Sequence, residues 1–215
     1  MSQRLLVTRP EHDTTTTYLS HYAKQIIKFA EEKGIPVKDF SSGSVKKKAI
    51  TNFLIKQKPR LLFFNGHGDS DAIEGDKGEI ILKEGENDEV LKDKITYARS
   101  CFVANSLGKK CASFGEDTCF IGYKFPFKFW FDETRNATPL KDKIAALYLE
   151  PSNELIKAIL RGKTPRLAFE NSKKLMARNM DKILKENGPG ALGKLKALWI
   201  NYVGQEIHGN GEILF

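Results

Sequence analysis

The chain is predicted to fold as an α/β protein: a three-layer α/β/α sandwich around a mostly parallel central sheet, with a helical carboxyl-terminal part. Three observations support this. Leu5-Leu6-Val7 and Leu61-Leu62-Phe63-Phe64 are apolar runs, each unbroken by a polar residue, and the second is the pattern of a strand buried on both faces. Helical spacings alternate with such runs in the order β-α-β-α-β, which gives parallel strands joined by right-handed crossovers. From residue 138 onward the pattern is helical.

Arg4-Leu5-Leu6-Val7-Thr8 forms the first strand. Asp13 caps a helix of about twenty residues, in which Tyr18, Tyr22, Ile26, Ile27 and Ala30 recur at three-to-four spacing until Gly34 ends it. A second strand lies near Phe40, and a second helix carries Ile50, Phe53, Leu54 and Ile55 until Pro59 stops it. The strand at 61–64 follows and breaks at Asn65-Gly66. Residues 69–93, rich in Gly, Asp and Glu with one apolar piece at Ile80-Ile81-Leu82, are expected to be a surface excursion with a small hairpin.

Ile95-Thr96-Tyr97-Ala98 is a strand, with a helix expected to begin beside Cys101 and to stop at Gly108. Residues 118–122 form a fifth strand, and the aromatic stretch 125–131 is a strand or a pocket wall. Thr138-Pro139 opens a helix to Leu149, a short helix covers 155–160, and Thr164-Pro165 opens another that ends at Asn187. A last helix at 191–203 precedes a tail, 212–215, expected to add an edge strand. The reading is one domain over 1–215, with a motif-bearing core at 1–123 and a helical completion at 124–215.

A chain of 215 residues, 40% hydrophobic and 29% charged, is long enough for one well-buried core and has a globular composition. No apolar run approaches a membrane span, and the start Met-Ser-Gln-Arg-Leu-Leu-Val lacks a secretory pattern, so a cytoplasmic location is expected. Cys101, Cys111 and Cys119 are odd in number and lack metal-finger spacing, which points to free thiols. The net charge of +8 comes from lysines spread along helix faces, which argues for solvated surface over a nucleic-acid site.

His67 stands at the carboxyl end of a central strand, the edge where α/β sheets bind ligands, and Gly68 lets the backbone turn sharply there. Cys101 repeats that context one strand later. An imidazole and a thiol on neighbouring parallel strands make the pair that a nucleophilic cysteine and its base require. Cys119 within its strand reads as a buried inert thiol, and Cys111 as a loop thiol.

The two half-motifs, Phe63-Phe64-Asn65-Gly66-His67-Gly68 and Tyr97-Ala98-Arg99-Ser100-Cys101, resemble those of the caspase-like cysteine peptidases. That group includes caspases, metacaspases, gingipains, clostripain, separase and the bacterial CHAT proteins, and the order, His before Cys, is also similar. The resemblance covers roughly residues 4–123. It implies a six-stranded sheet where five strands are read here, His67 as general base or acid, Cys101 as nucleophile, and the N–H groups of Gly68 and Cys101 as oxyanion hole.

The resemblance also implies that the residue two before the nucleophile lines the specificity pocket, where metacaspases carry Asp and caspases Gln. Here it is Arg99. With Asp69 and Asp117 it forms the candidate substrate-binding set: either Arg99 selects an acidic residue before the scissile bond, or it pairs internally with one of these carboxylates.

The function expected is therefore a cysteine endopeptidase acting through a thioester, with no cofactor or metal. The expected partner is a protein or peptide substrate, with an oligomeric or regulatory chain in addition, and neither membrane nor nucleic acid. Two other readings stand beside it. One is an inactive caspase-like module used as an interaction scaffold. The other is a metal-dependent phosphohydrolase using His67, Asp69 and Asp71, with His208.

Overall fold

A computed structural model describes residues 2–215. In chain order the first elements are β1 (Ser2–Arg9), α1 (Thr14–Glu32), β2 (Val37–Ser41), α2 (Lys47–Gln57) and β3 (Pro59–Asn65). Three short strands follow, β4 (Gly68–Asp69), β5 (Ala72–Glu74) and β6 (Ile80–Lys83), then β7 (Ile95–Arg99), α3 (Leu107–Ala112) and β8 (Cys119–Tyr123). The chain closes with α4 (Lys143–Leu160), α5 (Pro165–Glu186), α6 (Ala191–Gly204) and β9 (Gln205–Gly209).

The main sheet has six strands in the order β2-β1-β3-β7-β8-β9, all parallel except the last pair. Strand alternation divides its side chains between two cores. Leu5, Val7, Leu61, Phe63, Ile95, Tyr97 and Ile121 face α1 and α4. Leu6, Leu62, Phe64, Ala98 and Phe120 face the other way, toward α2, α3 and the small strands. Burial on both faces is why these strands carry unbroken apolar runs.

Residues 69–93 differ from the expected surface excursion. β4, β5 and β6 form a separate antiparallel sheet, and its Ile73, Ile81 and Leu82 are fully buried in the second core. The polar composition of the segment belongs mostly to its turns, and of its apolar residues Ile73, Ile81, Leu82 and Leu91 point inward while Ile80 is exposed.

The sixth strand of the main sheet is β9 rather than the tail at 212–215. At Gly209 (φ +78°) an added Cβ would lie 2.3 Å from the Thr118 carbonyl, so only glycine lets the chain leave the sheet edge there. No helix begins beside Cys101 either. Phe102 is left-handed (φ +61°), and the N–H groups of Phe102 and Ala104 donate to the carbonyls of Phe125 and Tyr123. Helical bonds start only in α3, six residues long.

α4 runs unbroken through Pro151, where the sequence suggested two helices. A proline inside a helix leaves the carbonyl four residues earlier without its donor. That carbonyl, of Leu147, accepts instead from Asn179 Nδ2 of α5 at 2.7 Å. The start of α4 is held by buried Asp142: one carboxylate oxygen accepts from the N–H groups of Ile144 and Ala145, the other from Tyr18 Oη and the Asp132 N–H. Asp142→Ala removes a cap and strands the buried Tyr18 hydroxyl. It is expected to cost about 2 to 4 kcal/mol in urea unfolding, with Asp142→Asn losing less.

Candidate active site

β1 is followed by a crossover to β2 on one side, and β3 by a connection to β7 on the other. The carboxyl ends of β1 and β3 therefore flank a topological switch point, the crevice where sheets of this kind bind ligands. The loop after β1 brings His12 and Asp13 to it, and the loop after β3 brings His67.

Asp13 holds two groups at once. Its Oδ1 accepts from the Thr16 N–H as the N-cap of α1, at 2.7 Å, and its Oδ2 lies 2.5 Å from His67 Nε2. Partial burial opposes its charge, but the Thr16 N–H, the His67 bond and the Thr16 hydroxyl outweigh it and lower its pKa to about 2. An ionised carboxylate can only accept, so His67 Nε2 carries the proton and Nδ1 is left as the basic nitrogen. The sequence identified Asp13 as a helix cap and missed this second bond. The available signal was its position in the loop after β1, across the switch point from His67.

His67 and Cys101 are brought level by strand register. β3 and β7 pair in parallel with Phe63 beside Tyr97 and Asn65 beside Arg99. Each of the two candidate residues follows its strand's last paired position by two. The loops touch: a Cβ on Gly68 would lie 3.1 Å from Ser100 Cβ and 2.7 Å from the Ala72 carbonyl. Among the described residues His67 hydrogen-bonds Asp13 and not Cys101.

Gly68 stands opposite Ile73 in the β4–β5 hairpin, one step from the hydrogen-bonded pair in which the Glu74 N–H donates to the His67 carbonyl. Antiparallel ladders alternate, so the Gly68 N–H points away from the hairpin.

The Cys101 thiol is half-buried, and that burial raises its pKa above the ordinary range. A backbone hydrogen bond at Phe127 and the charge of Lys128 pull it back, while Glu74 and Asp69 push it further up. The aromatic stretch is thus a wall: Phe127, Phe129 and Phe131 form a chain of ring contacts from Tyr123 to Tyr18. Cys111 and Cys119 are buried, and burial pushes the Cys119 thiol up to about 12. Cys111 is therefore a core residue rather than the loop thiol expected.

Two of the candidate substrate-binding residues are misplaced for that role. Arg99 is fully buried on the α1 and α4 side of the sheet, donating to Asn65 Oδ1 (2.8 Å), Asn153 Oδ1 (3.3 Å) and the Leu19 carbonyl (3.0 Å), with its guanidinium 5.0 Å from the centre of the Phe63 ring. It neither faces solvent nor pairs with Asp69 or Asp117. Alternation explains this, because Arg99 shares its face with Tyr97. Asp117 precedes β8 at the opposite edge of the sheet, against Arg60. Of the three, only Asp69 contributes to raising the pKa of the thiol, and it is exposed on the hairpin.

The phosphohydrolase arrangement also fails. Among the described residues the one group of three ligand side chains is His12, Asp13 and His67, without Asp69 or Asp71, and His208 on β9 bonds the Ala104 carbonyl instead.

No protein family matches the chain, and no curated protein matches it. Among solved structures it is similar to the complex of the pro- and mature domains of RgpB from Porphyromonas gingivalis, with a TM-score of 0.61 at 10% identity. The alignment covers 99% of this chain and 48% of that one, so the chain spans about half its length. The fold is caspase-like. RgpB is a gingipain, one of the group the half-motifs resemble. Among the described residues, no helix is long and apolar enough to cross a membrane.

Arg99→Ala would leave the amides of Asn65 and Asn153 and the Leu19 carbonyl short of a donor in the core. It is expected to cost about 3 kcal/mol or more in denaturant unfolding, where a residue facing substrate would change specificity at little cost in stability.

Proposed function

We propose that the chain is a cysteine peptidase in which Cys101 is the nucleophile, His67 the general base and acid, and Asp13 the residue that orients His67. The observation that carries this reading is the β3–β7 register, with Asn65 beside Arg99, which supports His67 and Cys101 facing one another across adjacent strand ends. The caspase-like fold is consistent with it.

Chemistry follows from the proton positions. His67 Nδ1 accepts the thiol proton as Cys101 Sγ attacks the peptide carbonyl carbon, and the oxygen of the tetrahedral intermediate takes hydrogen bonds from the N–H groups of Gly68 and Cys101. Collapse breaks the C–N bond, and the leaving amine receives the proton from His67. Water then attacks the thioester with His67 again taking its proton, which releases the acid and restores the thiol. Asp13 stabilises the imidazolium in both halves.

A protonated resting thiol makes His67 necessary at neutral pH. The acidic preference expected from Arg99 is not carried forward. Asp69, with Glu74 near the thiol, would instead attract a cationic side chain in the substrate.

In a fluorogenic peptide library, hydrolysis should favour Lys or Arg over Asp or Glu before the cleaved bond. It should fall by about a thousandfold or more in Cys101→Ala and in His67→Ala. Asp13→Asn keeps a competent helix cap but cannot hold the same tautomer, and should lower kcat by about a hundredfold with KM little changed. A chain that cleaves nothing in the library, with wild type and Cys101→Ala alike, would instead be an inactive module.

A further inference from the structure

The switch-point crevice holds a group that peptide hydrolysis does not fully use. His12, Asp13 and His67 each present a ligand atom, and these atoms all lie within 4.8 Å of one another. His12 Nε2 stands 3.8 Å and His67 Nε2 2.5 Å from the same oxygen, Asp13 Oδ2, while the other oxygen stays on the α1 cap. The two imidazole rings are 5.7 Å apart, centre to centre, and tilted. Donors around a tetrahedral zinc ion, bound at about 2.0 to 2.2 Å, stand about 3.3 to 3.6 Å from each other. The Asp13–His67 pair is closer than that spacing and the His12–Asp13 pair slightly wider.

We propose that His12, Asp13 and His67 form a transition-metal site, for zinc in the first instance, whose occupation switches off the dyad described above. Two imidazoles and one carboxylate suit zinc, nickel or copper, and are too poor in oxygen for calcium or magnesium. The Asp13 carboxylate offsets the positive end of α1, which would otherwise repel a cation.

The inhibitory effect follows from His67's two nitrogens and rests on the peptidase reading. A metal on Nε2 replaces its proton, and the neutral metal-bound ring then carries its proton on Nδ1. Nδ1 can no longer accept the Cys101 proton. The same ion occupies Asp13 Oδ2, so the orienting bond is lost as well. His12 takes no part in the hydrolytic steps and is therefore the residue that separates the two roles.

The test is zinc titration of the chelator-stripped full chain by calorimetry, with cobalt as a spectroscopic stand-in. One ion per chain is expected, with affinity weakened by about tenfold or more in His12→Ala and unchanged in Cys101→Ala. The cobalt spectrum should lack a thiolate charge-transfer band. In a second arm, zinc should slow Cys101 alkylation in the wild type, with the ratio of rates with and without zinc returning toward one in His12→Ala. Affinity that survives His12→Ala, or that disappears in Cys101→Ala, overturns the proposal, as does zinc binding that leaves alkylation unaffected. Binding is read without any substrate, so a failed peptidase reading would leave the titration result intact.

Discussion

The candidate site depends on a buried cation that never meets the substrate. Arg99 ends β7 with its guanidinium in the core, and burial lowers its pKa to about 10, still well above neutral, so the charge must be satisfied by hydrogen bonds. It reaches across the register to Asn65, the last residue of β3, whose own amide donates to the Thr8 carbonyl of β1 and whose N–H donates to the Thr8 hydroxyl. Further bonds to Leu19 of α1 and Asn153 of α4 close the network. Three strand ends and two helices are thereby fixed relative to one another, and His67 and Cys101 lie two residues beyond the fixed points.

Fixed strand ends let short loops place the candidate site residues. The loop after β1 supplies Asp13, which caps α1 with one oxygen and holds His67 with the other. The loop after β3 is pressed against Ser100 by a glycine with no room for a side chain. After Cys101 the left-handed Phe102 and the bonds to Tyr123 and Phe125 keep the chain from entering a helix, so the thiol sits against the aromatic wall in place of a helix terminus. Its environment is therefore more apolar than a helix start would give, which is the physical reason its pKa lies above the ordinary thiol range.

The first half of the fold was legible because its signals are local. Asp13, Gly34 and Pro59 bound their elements, and the apolar runs 5–7 and 61–64 announce buried strands. Ile73, Ile81 and Leu82 were harder, since strands this short become strands only by pairing with each other and covering α2. The single helix α4 was not legible, since what lets it pass Pro151, the Asn179 amide, lies 28 positions away on another helix. His67 and Cys101 could be singled out by position. For Arg99 the resemblance leaves substrate selection and internal pairing open, although alternation from Tyr97 already turns it inward. The Asp13–His67 bond needed the strand order, which no stretch of sequence carries alone.

Control of Cys101 reactivity by His67 is what the proposed peptidase requires. It is tested most directly by the rate of iodoacetamide alkylation at Cys101 in the folded, metal-free protein at neutral pH, followed residue by residue in wild type and His67→Ala. Alkylation is expected at Cys101 well ahead of the buried Cys111 and Cys119, with a drop of about tenfold or more at Cys101 when the imidazole is removed. An unchanged rate in His67→Ala would contradict it, because the two side chains would then be neighbours in register without sharing a proton.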